Sequence, residues 1–558
     1  MCMAYTFFHM NTKATPESIL QQITQIQRMD RGTVSILRQG PQGPYYNHQC
    51  YEDGRNVSRY VPADQVPDLK AAIEDFRRFQ QLVEEYVQLV VERTRAGRQA
   101  GLKKKTSTAQ LLLAQDQEIQ QLMVRFETGE PNGKAVQQLE MLLRTAIFKP
   151  ANAVVGFLLQ AAADRVDAAY QSQPGQQRKG RESLRVGCLF GSFPLERDYY
   201  YHPGKKEGHY PADAALGLEG GNTPALARLV CLEGADEASY QKAEDHLRET
   251  GGILMSSRQI QRLVQPVGAA AQKWQEREAL KPLPDSKPMP ILYLSADATG
   301  FPMRREELEG RPGKQPDGSA KTRSAYLGCV FTQHKRDEKG HPVRDYQSTT
   351  YVSSMGPLED FGPTLRQEAI RRGLGEAKKT VLLIDGAAGL ENMGHLNLRD
   401  AIQIVDFWHG ADHAGQVVEA LLGNKEHPEY KARRRRWVRR LLGNGVENLI
   451  KEARQESIGK PQAQSVEDEL GYFVHNVERM QYRTFRREGF FIGSGVIEAG
   501  CKTVIGSRCK QSGMFWGEPG AENVLALRCI HASRRLDQFW KERLNTHAAR
   551  NDCLKLAA

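Results

Sequence analysis

The sequence predicts a mixed α/β chain whose second half winds strands and helices around one sheet, with helices and a small β segment ahead of it. Three observations predict this. "PILYLSADATG" and "KTVLLIDGAAG" are apolar runs too short for helices, and each ends in an aspartate followed by small, turn-forming residues. "AYLGCVFTQHKR", "YQSTTYVSSM" and "AIQIVDFWHG" read as further strands, with a helix over 358–372 between them. The stretch 422–485 is charged and helical throughout, and then the chain returns to apolar, glycine-bearing sequence. The order of three strands, helix, strand, helix or loop, strand and helix is that of an RNase H-like core with an inserted all-α lobe.

Length sets the scale. At 558 residues the chain holds about three or four domains. The boundaries read as follows: 1–64, a small hairpin-bearing module; 65–181, a helical region broken at Pro150 and ending in a polar stretch at 171–181; 182–274, a β segment and a helix-turn-helix-like DNA-binding region; 275–289, a proline-rich linker. The core's first part spans 290–421, the all-α insertion 422–485, the end of the core 486–540, and a tail 541–558. Within the helix-turn-helix-like region, the glycines at 251–252 break the helices, and Ser256 or Ser257 is placed to cap the next one.

Composition narrows the class. No stretch reads as the roughly 18 uncharged apolar residues of a membrane span, and no secretory signal is read at the start. The nine cysteines are scattered, with no C-x-x-C pair, so they read as buried thiols of a reducing cytoplasm. Net charge is +10 and the pI about 9.0, which favours a polyanionic partner. The basic residues gather at Lys103–Lys105, at Arg433–Arg440 and between Arg304 and Arg323.

The candidate chemistry is two-metal phosphoryl transfer, which needs hard oxygen ligands converging from separate elements. Asp297 and Asp385 stand at the carboxyl ends of two apolar strands, where open α/β sheets present their ligands. "GSGVIEAGCK" supplies Glu498 on a helix, with Ser494 placed to cap it and Lys502 four residues on. Arg508, Lys510 and Trp516 follow as a phosphate clamp and a base-stacking surface. In "DFWHGADH", His409 sits near the acids with Asp406 behind it; a His409–His413 zinc pair lacks further ligands of suitable spacing. The long loop from Phe301 to Thr322 offers Arg304, Arg311, Lys314 and Lys321 to phosphates, with Arg323 just beyond. "D-x-T-G" at Asp297 is no aspartic-protease turn, because threonine does not directly follow the acid and no second copy exists.

These motifs, with "LLIDGAAGL", "IVDFWHGADH" and "GSGVIEAGCK" followed by "RCKQSGMFW", resemble the ISKra type of bacterial insertion-sequence transposases, relatives of the Mutator-like superfamily. The resemblance covers roughly 184–540. It implies a DDE site of Asp297, Asp385 and Glu498 holding two Mg²⁺ ions, with Mn²⁺ able to substitute. It also implies a D-x-x-H signature at Asp406 and His409, catalysis supported by His409, and strand cleavage and transfer on double-stranded DNA of element ends and target. A homo-oligomer, at least a dimer on DNA, in a bacterial cytoplasm and with no membrane partner goes with it. Relatives often carry a C-x-x-C ribbon where this chain has Cys188 alone, so no structural zinc is expected. The segment 31–63 is similar to a small module of bacterial mobile-element proteins. Two other readings stay open: a catalytically silent DNA-binding derivative, and a nuclease or resolvase that cuts without joining.

Overall fold

A computed structural model describes residues 16–40, 43–52, 55–97, 117, 121, 124, 132–281, 290–308 and 322–545. The chain divides into two units, Met1–Phe157 and Leu158–Ala558. In the first, α1 (Pro16–Gln25) precedes an antiparallel sheet of β1 (Thr33–Gly40), β2 (Gly43–Glu52) and β3 (Arg55–Val61), followed by α2 (Val66–Gly97). The expected hairpin thus has a third strand. β3 joins because Ser58 donates to Asn47 at 2.9 Å and Arg59 pairs with Glu52 at 2.5 Å across the ladder. The next helix, α3 (Gly133–Ala169), runs through Pro150, where the sequence reading ends it. A proline removes one intrahelical bond, and good helix formers flank it on both sides. The same helix is long and apolar enough, by length and composition, to cross a membrane, which corrects the reading that no stretch is.

The second unit opens with the antiparallel sheet β4 (Gln177–Cys188), β5 (Gly191–His202) and β6 (Glu207–His209). β4 begins inside the stretch read as polar linker because its charges are used. Arg178 forms a two-pronged pair with Asp198 at 2.7 and 2.8 Å, while Arg197 pairs with Asp213 at 2.7 Å and lies 3.9 Å over the Tyr210 ring. Cys188 is buried, and its sulfur accepts the Phe190 N–H. Helices α4 (Pro224–Asp236), α5 (Tyr240–His246) and α6 (Ser257–Ala279) follow. Ser256 caps α6 in a reciprocal box with Gln259. That helix extends into the expected linker because Trp274 and Glu278 anchor it: the indole donates to Glu542 at 3.0 Å, and Arg535 pairs with Glu278 at 3.0 Å. Its buried face packs on α4 and on a C-terminal helix, so this region is integrated into the core rather than a free helix-turn-helix module.

The central sheet has the strand order β10-β8-β7-β11-β12, with β9 paired to β8. Its members are β7 (Ile291–Pro302), β8 (Thr322–Arg336), β9 (Pro342–Arg344), β10 (Thr350–Ser354), β11 (Lys379–Ile384) and β12 (Ile402–Val405). β7, β8 and β10 run antiparallel in turn, and β11 and β12 lie parallel to β7. Both faces are covered, which is why the strands read as nearly continuous apolar runs. Leu292, Leu294 and Ala296 face a core with α7 (Leu358–Arg371) and α8 (Ala388–Asn397). Ile291 and Tyr293 face a larger core built with α4, α6 and the chain's end. The all-α lobe comprises α9 (Phe407–Leu422), α10 (Tyr430–Leu442), α11 (Val446–Ser457) and α12 (Ala463–Asn476). The chain returns through α13 (Gly495–Gly500), a π-helical turn over Cys501–Gly506, and α14 (Glu518–Ala532).

Two buried arginines fasten this return to α4. Arg528 donates to the carbonyls of Ala235 at 2.7 Å and Asp236 at 3.1 Å, and on its other side to Val504 at 2.5 Å. Arg508 donates to Gly234 at 3.2 Å and Ala238 at 3.4 Å. The carbonyls at a helix C-terminus lack intrahelical donors and carry partial negative charge, so cations suit them. Arg528→Ala strands several buried carbonyls and is expected to cost on the order of 3 kcal/mol. Arg528→Lys recovers little of it, because one ammonium cannot span both sides. Urea unfolding of the three proteins checks this; a wild-type midpoint for the alanine variant would refute it.

Candidate active site

Three adjacent parallel strands carry aspartates at one level: Asp385 and Asp406 directly follow β11 and β12, whereas Asp297 lies inside β7, which runs on to Pro302 paired with β8 and so corrects the expectation that Asp297 ends its strand. β11 pairs with β7 as Leu383 opposite Ser295, and with β12 as Ile384 opposite Val405. Continued by one or two residues, that register sets Asp385 beside Asp297 on one side and Asp406 on the other. Asp297 and Asp385 are half-buried, each accepting from backbone just downstream: Ala298 N–H, within β7, donates to Asp297 at 2.7 Å, and Ala387 N–H, in the loop after β11, to Asp385 at 2.9 Å. Burial pushes the Asp297 carboxyl up from its usual range. The Ala298 N–H and the Cys501 thiol work against that, and the Asp385 charge adds to it.

Asp406 is fully buried and caps α9. One carboxylate oxygen accepts from the His409 N–H at 2.8 Å and from its ring Nδ1 at 3.2 Å; the other accepts from Ser494 N–H. Burial works to raise the Asp406 pKa, but the His409 and Ser494 hydrogen bonds outweigh it and hold the group below the usual carboxylate range. His409 is pushed up to about 9, first by its bond to Asp406 and then by the charges of Asp406, Asp385 and Glu498.

The Glu498 carboxylate is aimed by Ser494, whose hydroxyl donates to it at 2.9 Å. Ser494 was expected to cap the helix, yet it makes no side-chain cap bond, because its hydroxyl is engaged with Glu498 and its N–H with Asp406. Ligand atoms of Asp406, His409 and Glu498 lie within 4.8 Å of one another. Asp297 and Asp385 stand outside that close cluster, though Asp385 is near enough to act on both Asp297 and His409.

Four residues outside the expected set hold the second acid's loop and the helix after it. Tyr472 on α12 donates its hydroxyl to the Asp385 carbonyl at 2.7 Å, and Asn476 reaches the Gly386 carbonyl at 3.5 Å. Gly386 has φ of +89°, and a Cβ there would lie 2.9 Å from the Tyr472 oxygen, so this position needs glycine on both counts. His475 and Arg479, the latter at 2.8 Å, pair with Glu391 on α8. No local pattern announces Tyr472, which lies 87 residues from its acceptor.

The expected DNA contacts divide. Arg304, Lys502 and Lys510 are exposed, and the Lys510 ammonium reaches the Thr299 hydroxyl beside Asp297. Arg508 and Trp516 are buried, which corrects their assignment to DNA. Arg508 lies between the Tyr240 ring at 4.6 Å and the Trp516 ring at 5.0 Å, and the Trp516 indole donates to the Cys509 carbonyl at 3.0 Å. Arg323 is likewise taken, since it pairs with Glu518. Much of the Arg433–Arg440 cluster is neutralised inside the lobe: Arg433 by Glu456, Arg434 by Asp412, and Arg436 and Arg440 by Glu452. His413 stacks on Tyr472 with ring centres 3.6 Å apart, so it is occupied away from His409. Arg311, Lys314, Lys321 and Lys103–Lys105 lie outside the described residues.

Residues 13–71 match a domain family of unknown function, DUF6788. No curated protein matches the chain. A solved structure described as the Drosophila P element transposase strand transfer complex is similar at 10% identity, with a TM-score of 0.20, over 58% of this chain and 80% of that one. A likeness that faint supports no functional argument.

Removing Asp406 leaves an imidazolium and a backbone N–H without their buried partner. Asp406→Asn is expected to lower stability at pH 7 by on the order of 3 kcal/mol. Because the folded-state pKa is depressed, this contribution is present above the unfolded carboxylate value of about 3.9 and fades as pH falls through the folded one. Denaturant titrations at pH 7 and at a pH well below the unfolded carboxylate value should therefore show a smaller penalty in acid. A penalty that grows in acid would contradict the assignment.

Proposed function

We propose that the chain is a DNA transposase of the DDE type, close to the ISKra group, cutting and joining DNA with Asp297, Asp385 and Glu498. The observation that carries this is the shared register level of Asp297, Asp385 and Asp406 on neighbouring strands, with Glu498 brought beside Asp406 and His409 from a separate helix that Ser494 and Asp406 hold in place. The strand order, three antiparallel members and then two parallel ones, and the lobe inserted before the third acid both suit an RNase H-like core.

The donor set fits Mg²⁺ or Mn²⁺: carboxylate oxygens from separate elements, with Asp297, Asp385 and Glu498 in no ion pair among the described residues. Such ions, when bound by these acids, supply Lewis-acid activation and charge neutralisation at a phosphodiester. The chain's own residues do the rest. Ser494 fixes the Glu498 oxygen, and Tyr472 and Asn476 fix the loop of Asp385. The doubly protonated His409 offers positive charge beside the acids, suited to an anionic backbone or a departing oxyanion. Exposed Arg304, Lys502 and Lys510 give phosphate contacts that position DNA without reading its sequence.

Asp297→Asn, Asp385→Asn and Glu498→Gln should each abolish cleavage and strand transfer of labelled element ends in Mg²⁺ while leaving DNA binding near wild type. Normal cutting by all three would overturn the site. Cutting without joining in the wild type would instead favour the nuclease reading, and binding without chemistry the silent derivative. Lys510→Ala should weaken DNA uniformly across sequences and reduce the salt dependence of log K by about one unit. An unchanged slope in a salt titration would remove Lys510 from the interface.

A further inference from the structure

With Trp516 buried, its expected stacking role is vacant, and the fold supplies a different indole. Of the five tryptophans, Trp274, Trp437, Trp516 and Trp540 are 1, 1, 7 and 5% exposed, whereas Trp408 is 65% exposed. Trp408 stands between Asp406 and His409 at the first turn of α9. Its place beside Asp406 is set from two sides. Its ring packs edge-on against Phe407, centres 5.3 Å apart, and the Phe407 N–H is tied to the Ile492 carbonyl at 2.9 Å. Across the strand's end, a methyl group built on Gly493 would lie 3.7 Å from the Trp408 ring and equally 3.7 Å from the Asp406 carboxylate. The indole Nε1 has no protein acceptor among the described residues. The ring sits on the first turn of a helix rather than on a loop.

We propose that Trp408 is the stacking platform for an unpaired base of the DNA strand whose phosphodiester reaches the acids. An aromatic plane stacks any base, and it stacks best where pairing has already been lost. The neighbours suit a nucleic-acid strand: the His409 ring is one residue away, and the Lys510 ammonium reaches the Thr299 hydroxyl two residues from Asp297. Gly493, lacking a side chain, leaves the space next to the ring open. Trp408 is thus a positioning residue that registers the strand. The inference rests on the DNA-cleaving reading above and names where the displaced base goes.

Trp408 is the one tryptophan strongly exposed to solvent, so its emission can be followed in the full-length protein without any chemistry. The probes are a blunt duplex and the same duplex with three unpaired terminal nucleotides, in Ca²⁺ buffer, with binding read separately by anisotropy of a labelled strand. The frayed duplex should quench the emission and shield it from acrylamide, and replacing its unpaired bases by abasic sites should abolish both effects. Trp408→Ala should bind the frayed duplex about tenfold more weakly, with blunt-duplex affinity unchanged. Trp408→Phe should retain most of the affinity and lose the signal. If wild type binds the frayed duplex with unaltered emission, or Trp408→Ala binds it equally well, the stacking role is wrong while the DNA reading stands. If wild type binds neither duplex, both fall together.

Discussion

The architecture turns on one buried carboxylate. Asp406 is fully enclosed, and each of its oxygens is spoken for. A charge removed from water is tolerable only when hydrogen bonds satisfy it. Here those bonds arrive from the first turn of α9 and from the segment that precedes Glu498, while the Asp406 N–H itself donates to the Ile384 carbonyl at 2.7 Å. Sheet, lobe and returning helix therefore meet at a single side chain. The same solvation requirement that costs a buried ion also dictates where its neighbours must be, and that fixes Ser494 and, through it, Glu498.

Much of this was legible in the residues because it depends on local pattern. Apolar runs of strand length ending in "SADATG" and "LLIDGAAG" need no tertiary information to be recognised, and the Ser256 cap with Gln259 follows from spacing alone. What escaped was decided at long range. Arg508, Trp516 and Arg323 looked like solvent-facing cations and a stacking ring because their partners lie far along the chain; the Gly234 carbonyl is 274 residues from Arg508 and Glu518 is 195 from Arg323. Local sequence gives a residue's chemistry, and burial then decides whether that chemistry faces a ligand or another part of the protein. The third strand of the N-terminal sheet and the helix through Pro150 were missed for a related reason, since neighbouring structure overrode a local breaker signal.

The lobe is more than an appendage. Its last helix and the 3-10 turn after it send Tyr472, His475, Asn476 and Arg479 back to the loop and helix that follow Asp385. A rigid shell behind a ligand is what holds a site in productive geometry. Anything that shifts α12, including a strand laid against the lobe, is transmitted to the second acid through hydrogen bonds rather than through packing alone.

The lobe's two ends are zipped together, with Ser494 N–H on Asp406, 88 positions earlier in the chain. As polymer physics this is a closed loop. Its closure entropy is roughly 4 kcal/mol by the logarithmic law, and doubling its length would add only about 0.6 kcal/mol. The lobe's size is thus almost free to drift over evolutionary time, and its surface can be rebuilt for new uses at little thermodynamic penalty. The pair of residues at its neck has no such latitude.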